Sequence, residues 1–229
     1  MSWSQYWQYA AANAWLGVVP ALIGLVIAVP VGIACVRWRL LYPPVLSATN
    51  VIYAIPSLAL FVVLIDYTGL GNLTLLIPLT LFSLCVLVPN VVDGLRSVPD
   101  PVRQAATAMG FGPTRRLLRV ELPLAIPVVI AGLRIAVVSS ISLVSVGALI
   151  GVNSLGYFFI DGLQRSFNEE IYAAIVGIIV IALLADLILV LVRRLLTPWS
   201  RGRDGRGGAA ASAGEPETEQ AVLAEGMAR

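Results

Sequence analysis

The chain has 229 residues, of which 59% are hydrophobic and only 12% are charged, with a formal net charge of +2. Soluble domains contain about 45–50% apolar residues, so this composition excludes an ordinary soluble globular protein and indicates an integral membrane protein. All 15 basic residues are arginine, and histidine is absent. This excludes catalytic triads and imidazole proton relays, and we expect no metal site.

Five apolar stretches are long enough to cross a bilayer, which takes about 20 helical residues. They lie at 15–36, 45–65, 73–92, 124–150 and 172–196. They predict an all-α integral membrane protein with about five transmembrane helices, forming one membrane domain over residues 15–196.

The two ends of the chain differ from this membrane domain. Residues 1–14 are rich in Trp and Tyr and carry no arginine, which predicts an extracytoplasmic or interfacial segment. Residues 197–229 combine glycine, alanine and charge without periodicity, which predicts a disordered cytoplasmic tail.

The distribution of arginine predicts the orientation of the chain. Arginines follow the first, third and fifth apolar stretches, whereas the N-terminal segment and the connection after the second stretch have none. Cytoplasmic loops carry an excess of Lys and Arg. The N-terminus is therefore expected outside and the C-terminus in the cytoplasm of a prokaryotic cell membrane.

A polar segment at about 97–123 separates the third and fourth stretches. Asp100 is expected to cap a helix that begins at Pro101, and Gly110 to end it. The helix would carry an apolar face made of Val102, Ala105, Ala106 and Met109. A second short helix would begin at Gly112 and Pro113, carry Arg115, Arg116 and Arg119 on one face, and break at Pro123. The residues alone leave two readings open: binding of anionic lipid headgroups or docking of a cytoplasmic partner.

Two ionisable residues fall inside predicted spans. Arg134 and Asp186 each lie about ten residues from the cytoplasmic end of their stretch, roughly 15 Å deep. Intramembrane charges are costly and usually paired, so we expect an ion pair between them. Arg134 reaching back to the interface, and Asp186 lining a wet cavity, are the alternatives.

Polar residues on the second and third stretches are candidates for a substrate pathway. Tyr53 could attract a quaternary ammonium group by a cation–π contact. The other candidates are Asn50, Ser57, Ser83 and Asn90. Packing or capping is the alternative role for each of them.

The segment after Asp100 resembles the EAA loop of permease subunits in ABC importers, which reads E-A-A, three residues, Gly, nine residues, I-x-L-P. The matching residues here are Gln104, Ala105, Ala106, Gly110, Val120, Leu122 and Pro123. Gln104 departs from the usual glutamate, so no salt bridge from this position is assumed. The stretches "NVIYAIPSLAL", "IPVVIAGLRIAVV" and "GVNSLGYFFIDGLQRSFN" resemble the branch that imports glycine betaine, choline, carnitine and related osmoprotectants.

This resemblance implies a type I ABC importer permease fold and a set of partners. These would be cytoplasmic ATPase subunits, a second permease subunit (a copy or a relative), an extracytoplasmic binding protein and membrane lipid, with no nucleic acid. The chain has no P-loop G-x-x-x-x-G-K-[ST], so it is not expected to be an enzyme or to hold a cofactor; ATP and Mg²⁺ would bind the ATPase. Matching positions assign the ATPase contact to Gln104, Ala105, Ala106, Met109, Gly110, Leu122 and Pro123. Within it, Ala106 and Met109 would form an apolar knob.

Other functions remain as alternatives. An importer of another small solute, such as an amino acid, is the nearest. A secondary transporter usually has more spans or a clear internal repeat, and neither is present. A membrane enzyme lacks its catalytic groups, since histidine and lysine are absent, and only the loop argues against a membrane scaffold.

Overall fold

The computed structural model describes residues 2–198, and within that range every regular element is helical. The nine α-helices are α1 (Trp3–Arg37), α2 (Tyr42–Ala54), α3 (Ser57–Thr68), α4 (Asn72–Arg96), α5 (Asp100–Ala108), α6 (Pro113–Arg116), α7 (Leu122–Val146), α8 (Tyr157–Gln164) and α9 (Asn168–Leu196). Short 3₁₀ segments cover Arg39–Leu41 and Gly147–Ile150, and a π-helical segment covers Leu117–Glu121. The prediction of an all-α fold is confirmed.

Four of these helical stretches are long and apolar enough to cross a membrane, and α2 with α3 makes a fifth if the pair counts as one span. The four are Trp3–Arg37, Asn72–Arg96, Pro113–Ile150 and Asn168–Leu196. Together they account for four of the five apolar stretches of the sequence.

The stretch predicted as the second span, 45–65, consists of two helices at 90° to each other. The bend follows from Pro56, because the residue before a proline is pushed out of the helical region. Ile55 accordingly has an extended backbone, with φ −71° and ψ 127°. Proline is tolerated inside the other long helices, at Pro20 and Pro78 for example.

Helix α1 runs without interruption from Trp3 through the first span, so the predicted N-terminal segment 1–14 continues into that span, and its extracytoplasmic or interfacial position stays a prediction. Two local predictions are wrong. Asp100 is the first residue of α5 rather than its cap, which is Pro99. Pro123 breaks nothing, because it occupies the first turn of α7, where a missing N–H costs no helical hydrogen bond.

Helices α1, α4 and α7 pack around one core, and small residues let them approach closely. A Cβ on Gly17 would lie 2.9 Å from the backbone Cα of Ile141, and one on Gly24 would lie 2.9 Å from Cβ of Ser83. Fully buried aliphatic side chains fill the space between these contacts, among them Ala21, Ala28, Leu87, Val91, Leu95 and Ile141.

The chain divides after Leu191 into two compact units. The first unit ends at Leu191 and contains α1 to α8 and most of α9. In the second unit, Val192–Arg229, the described residues are 192–198, which include the last turn of α9 with Arg193 and Arg194. Residues 199–229, most of the predicted tail, lie outside the described residues.

Candidate functional site

The loop between α4 and α7 is built around a tight turn after α5. Met109 ends the helix, and Gly110 follows with φ +82°, a conformation that favours glycine. The N–H of Phe111 donates to the carbonyl of Ala106 at 3.1 Å, and that of Gly110 donates to Thr107 at 3.0 Å. These two bonds form a Schellman motif, which satisfies the last carbonyls of α5. Gly110 therefore ends the first helix, as the sequence predicts.

The exposed surface of this turn differs from the predicted knob. Met109 is 70% exposed and Val102 is 37% exposed, but Ala106 is only 1% exposed. Ala106 faces the protein because it occupies the inner side of α5, so it supplies packing and not contact surface. Gln104 and Ala105 are exposed on the same helix as Met109, whereas Leu122 and Pro123 are half-buried where α7 begins.

A buried carboxylate lies beneath this turn, and sequence reasoning missed it. The side chain of Glu121 is only 8% exposed, and the Nε of Arg116 donates to its Oε1 at 2.8 Å. The Nε of Arg103 lies 3.8 Å from Oε2 of the same carboxylate. One acidic group at the base of α7 thus accepts a hydrogen bond from α6 and lies within ion-pair distance of α5, although the Nε of Arg103 makes no hydrogen bond.

The two arginines of this network also bind the backbone and a hydroxyl. Nη2 of Arg103 donates to the carbonyl of Leu95 at 2.7 Å, near the end of α4. Nη1 of Arg116 donates to Oγ1 of Thr107 at 3.0 Å, near the end of α5. The predicted single basic face is therefore divided: Arg116 turns inward, while Arg115 lies over the ring of Phe111 at 4.7 Å.

The spacing of Arg116 and Glu121 in the sequence does not predict an ion pair between them. Salt bridges along an α-helix join residues three or four apart, whereas these two are five apart. The π-helical segment Leu117–Glu121, in which the N–H of Leu122 donates to the carbonyl of Leu117, changes that register. π-helical turns inside helices are frequent at functional sites, but no simple sequence pattern predicts this one.

Basic residues gather at this end of the helix bundle. Arg37, at the end of α1, lines a cleft of about 320 Å³ together with Arg103, Arg116 and Glu121. Arg96, at the end of α4, lies 4.5 Å above the ring of Tyr42. The ends of α1 and α4 and the loop therefore form one positively charged surface.

Aromatic residues gather where α1 begins. The rings of Tyr9 and Tyr157 meet edge to face at 5.6 Å, and Tyr6 lies 5.9 Å from Phe158. The hydroxyl of Tyr6 donates to the carbonyl of Ala173 in α9 at 3.0 Å. Aromatic rings of this kind are enriched at membrane–water interfaces.

Inside the bundle, Arg134 and Asp186 form a bidentate ion pair between α7 and α9. Nε of Arg134 donates to Oδ1 of Asp186 at 2.6 Å, and Nη2 donates to Oδ2 at 2.8 Å. Both side chains are about one third exposed, at 32% and 31%. This is the pair that the sequence predicts, in the fork geometry that arginine and carboxylate favour.

The five candidate pathway residues are not brought together. Ser83 is buried and its hydroxyl donates to the carbonyl of Leu79 at 2.8 Å, while the amide of Asn90 donates to Val86 at 2.8 Å. Both residues thus donate a hydrogen bond within α4, and the hydroxyl of Ser83 also lies 3.4 Å from that of Ser140 in α7. Asn50 is exposed and Tyr53 is 60% exposed on α2, and Ser57 is half-buried at the start of α3.

Comparison with known proteins gives a consistent result. The family model described as "Binding-protein-dependent transport system inner membrane component" matches residues 21–202. The choline transport system permease protein OpuBD of Bacillus subtilis is 35% identical over 185 residues, which cover 80% of this chain and 82% of that protein. The osmoprotectant import permease protein OsmW of Salmonella typhimurium is 33% identical over 189 residues, covering 80% and 88%.

A third relative and the solved structures agree with this match. The carnitine transport permease protein OpuCD of Listeria monocytogenes is 33% identical over 200 residues, covering 87% of this chain and 88% of that protein. Inward-facing structures of the MetNI methionine ABC transporter contain a chain that superposes with a TM-score of 0.75 at 22% identity, covering 86% of this chain and 100% of that chain. An amino acid ABC transporter reaches a TM-score of 0.68 at 17% identity, covering 83% and 94%. These structural likenesses show the fold.

Proposed function

This chain belongs to the family of binding-protein-dependent transport system inner membrane components, and from that premise we propose what it carries and where it meets its partners. It is a multi-pass permease subunit of an ABC importer, and ATP hydrolysis belongs to a separate subunit. We propose that it forms the pathway for a compatible solute such as glycine betaine, choline or carnitine. The relatives named above, which are permease proteins for osmoprotectants, choline and carnitine, support this class of solute.

The ATPase contact is proposed at the turn after α5. The observation that carries this assignment is the exposed apolar side chain of Met109, presented by a Gly110 turn on a loop that is anchored from below. Gln104 and Ala105 lie on the same exposed helix and complete the surface. Leu122 and Pro123 would act at the base of the loop, and Ala106 would pack the helix onto it. ATP and Mg²⁺ would bind the ATPase and not this chain.

The orientation is proposed from the two ends of the bundle. Arginines of α1, α4 and the loop share one surface, and an excess of arginine is typical of the cytoplasmic side. That surface would face the ATPase in the cytoplasm, and the aromatic residues at the start of α1 would lie at the outer interface. The alternation of sides holds when α2 and α3 together make one crossing.

The remaining partners are proposed from the same family membership. An extracytoplasmic binding protein would deliver the solute, and a second permease subunit, a copy of this chain or a relative, would complete the pathway. Among the polar candidates, Asn50 and Tyr53 suit the pathway best because their side chains are exposed. Ser57 stays a candidate beside the bend, whereas the internal hydrogen bonds of Ser83 and Asn90 favour packing.

Cysteine cross-linking of the assembled importer tests the ATPase contact. In a chain whose Cys35 and Cys85 are replaced by alanine, Met109→Cys should cross-link to the ATPase subunit. A separate assay, uptake of labelled glycine betaine, choline and carnitine, identifies the solute. Leu163→Cys is the matched control, because Leu163 is 76% exposed on α8, beside the aromatic residues. Equal cross-linking at both positions would contradict the assignment, and failure to take up any of the three solutes would contradict the proposed solute class.

A further inference from the structure

Among the acidic residues within 2–198, Glu121 is the one that both Arg103 and Arg116 approach. It is buried, it accepts from Arg116 at 2.8 Å, and Nε of Arg103 lies 3.8 Å away. By contrast, Asp100, the other acidic residue near Arg103, is 80% exposed and 3.3 Å from it. An exposed pair of that kind contributes little, whereas a buried partner cannot be removed without leaving uncompensated charge.

The network connects α5 to the end of α4 and to the continuous helical stretch Pro113–Ile150, which contains α6, Glu121 and α7. Arg103 reaches from α5 to the carbonyl of Leu95 at the end of α4, and Arg116 reaches from α6 to Thr107 at the end of α5. Glu121 is the last residue of the π-helical segment, directly before α7 begins. Both arms of the network therefore meet at the base of a membrane-spanning helix.

We infer that Glu121 is a positioning residue for coupling: with Arg103 and Arg116 it fixes α5 to the base of α7, so that a displacement of α5 moves α7. The inference rests on the proposed ATPase contact at the turn after α5. No other ion pair described in residues 2–198 joins α5 to the base of α7. The hydrogen bonds of the turn itself are internal to the loop and would not transmit its movement.

Loss of the Glu121 charge should therefore loosen α5 without removing the contact surface. Glu121→Gln keeps the shape of the side chain but replaces a charge-assisted bond with a neutral one, which is about half as strong. The expected result is that amide hydrogens of α5 and Gly110 exchange about tenfold faster, as for loss of one bond to a charged group. Hydrogen exchange followed by mass spectrometry on the full-length permease in lipid nanodiscs measures this without any solute.

Coupling in the reconstituted importer is the second measurement. In Glu121→Gln we expect the ATPase to remain bound, while the ATP hydrolysed per solute imported rises, because α7 no longer follows every displacement of α5. A purely structural role would instead lower the amount of assembled complex and leave this ratio unchanged. Arg116→Gln removes the bond to Glu121 and also the bond to Thr107, so its effect should be at least as large as that of Glu121→Gln. The double variant should lose less than the sum of the two single variants, because both affect one shared interaction.

Matched controls and contrary outcomes are available in the same chain. Glu169→Gln makes the same change at an exposed residue of α9, and it should leave both measurements unchanged. Unchanged exchange of α5 in Glu121→Gln would overturn the positioning role, whether or not the importer carries the chosen solutes. Faster exchange with an unchanged ATP-to-solute ratio would overturn its part in coupling, and additive effects of the two single variants would overturn the shared interaction.

Discussion

The helix bundle and the loop between α4 and α7 are held together in different ways. In the bundle, the helices pack so closely that glycines contact side chains or backbone of the next helix, as Gly17 contacts Ile141. In the loop, Gly110 has no neighbouring heavy atom within 4 Å of a Cβ position, and the helix before it is fixed by charged side chains. Shape complementarity dominates the first region, and a few directional bonds dominate the second.

This difference matches what the two regions have to do. Close packing leaves few alternative arrangements, so packed helices move as units. A segment with few buried contacts opens at lower free energy and can adjust to a partner. The proposed role of this permease would use both a stiff bundle around the pathway and a loop whose position an ATPase subunit can change.

The largest expected effect on stability comes from reversing one charge of the intramembrane pair. Asp186→Arg leaves two positive charges where Arg134 now makes a bidentate pair. An unpaired charge at the centre of a membrane-spanning helix costs about 2.5–3.5 kcal/mol, so little folded protein should accumulate in the membrane, measured by fluorescence-detected size exclusion. Arg134→Asp together with Asp186→Arg should restore it, and failure of this rescue would show that the pair does not hold α7 and α9 together.

A smaller loss of stability is expected when a larger side chain replaces a glycine at a contact between two helices. Gly17→Val pushes a branched side chain against the backbone of Ile141, and overpacking of this kind typically costs about 1–3 kcal/mol. Gly71→Val is the matched control, because a Cβ on Gly71 meets nothing within 4 Å and its backbone is extended. Thermal unfolding in detergent should separate the two variants, and equal midpoints would mean that α1 and α7 pack less closely than described.

The sequence predicts the parts of this molecule that depend on composition and local pattern. Hydropathy predicts the helical class and the apolar stretches. The position of glycine predicts the Gly110 turn, and depth in the membrane predicts the Arg134–Asp186 pair. The size of the 90° bend before Pro56 does not follow from the sequence, because proline inside a span is tolerated elsewhere in the same chain, and only the surroundings decide how far a proline bends its helix.

Other features could not be read from local pattern. The burial of Ala106 depends on how α5 rests on the bundle, which its own apolar face does not specify. The Arg116–Glu121 contact depends on a π-helical register, so the three- or four-residue spacing of ion pairs on α-helices does not predict it.

The most direct test of the central claim, that the Gly110 turn couples this permease to its ATPase, is ATP-dependent solute uptake in Gly110→Val and Gly112→Val. Valine at φ +82° is strained by about 1–2 kcal/mol, enough to deform the turn while leaving the bundle folded. Gly112 has φ −65° and ψ 164°, which valine adopts readily, and open space around it. The account predicts that Gly110→Val loses uptake at normal permease levels while Gly112→Val retains it; normal uptake in Gly110→Val would contradict it.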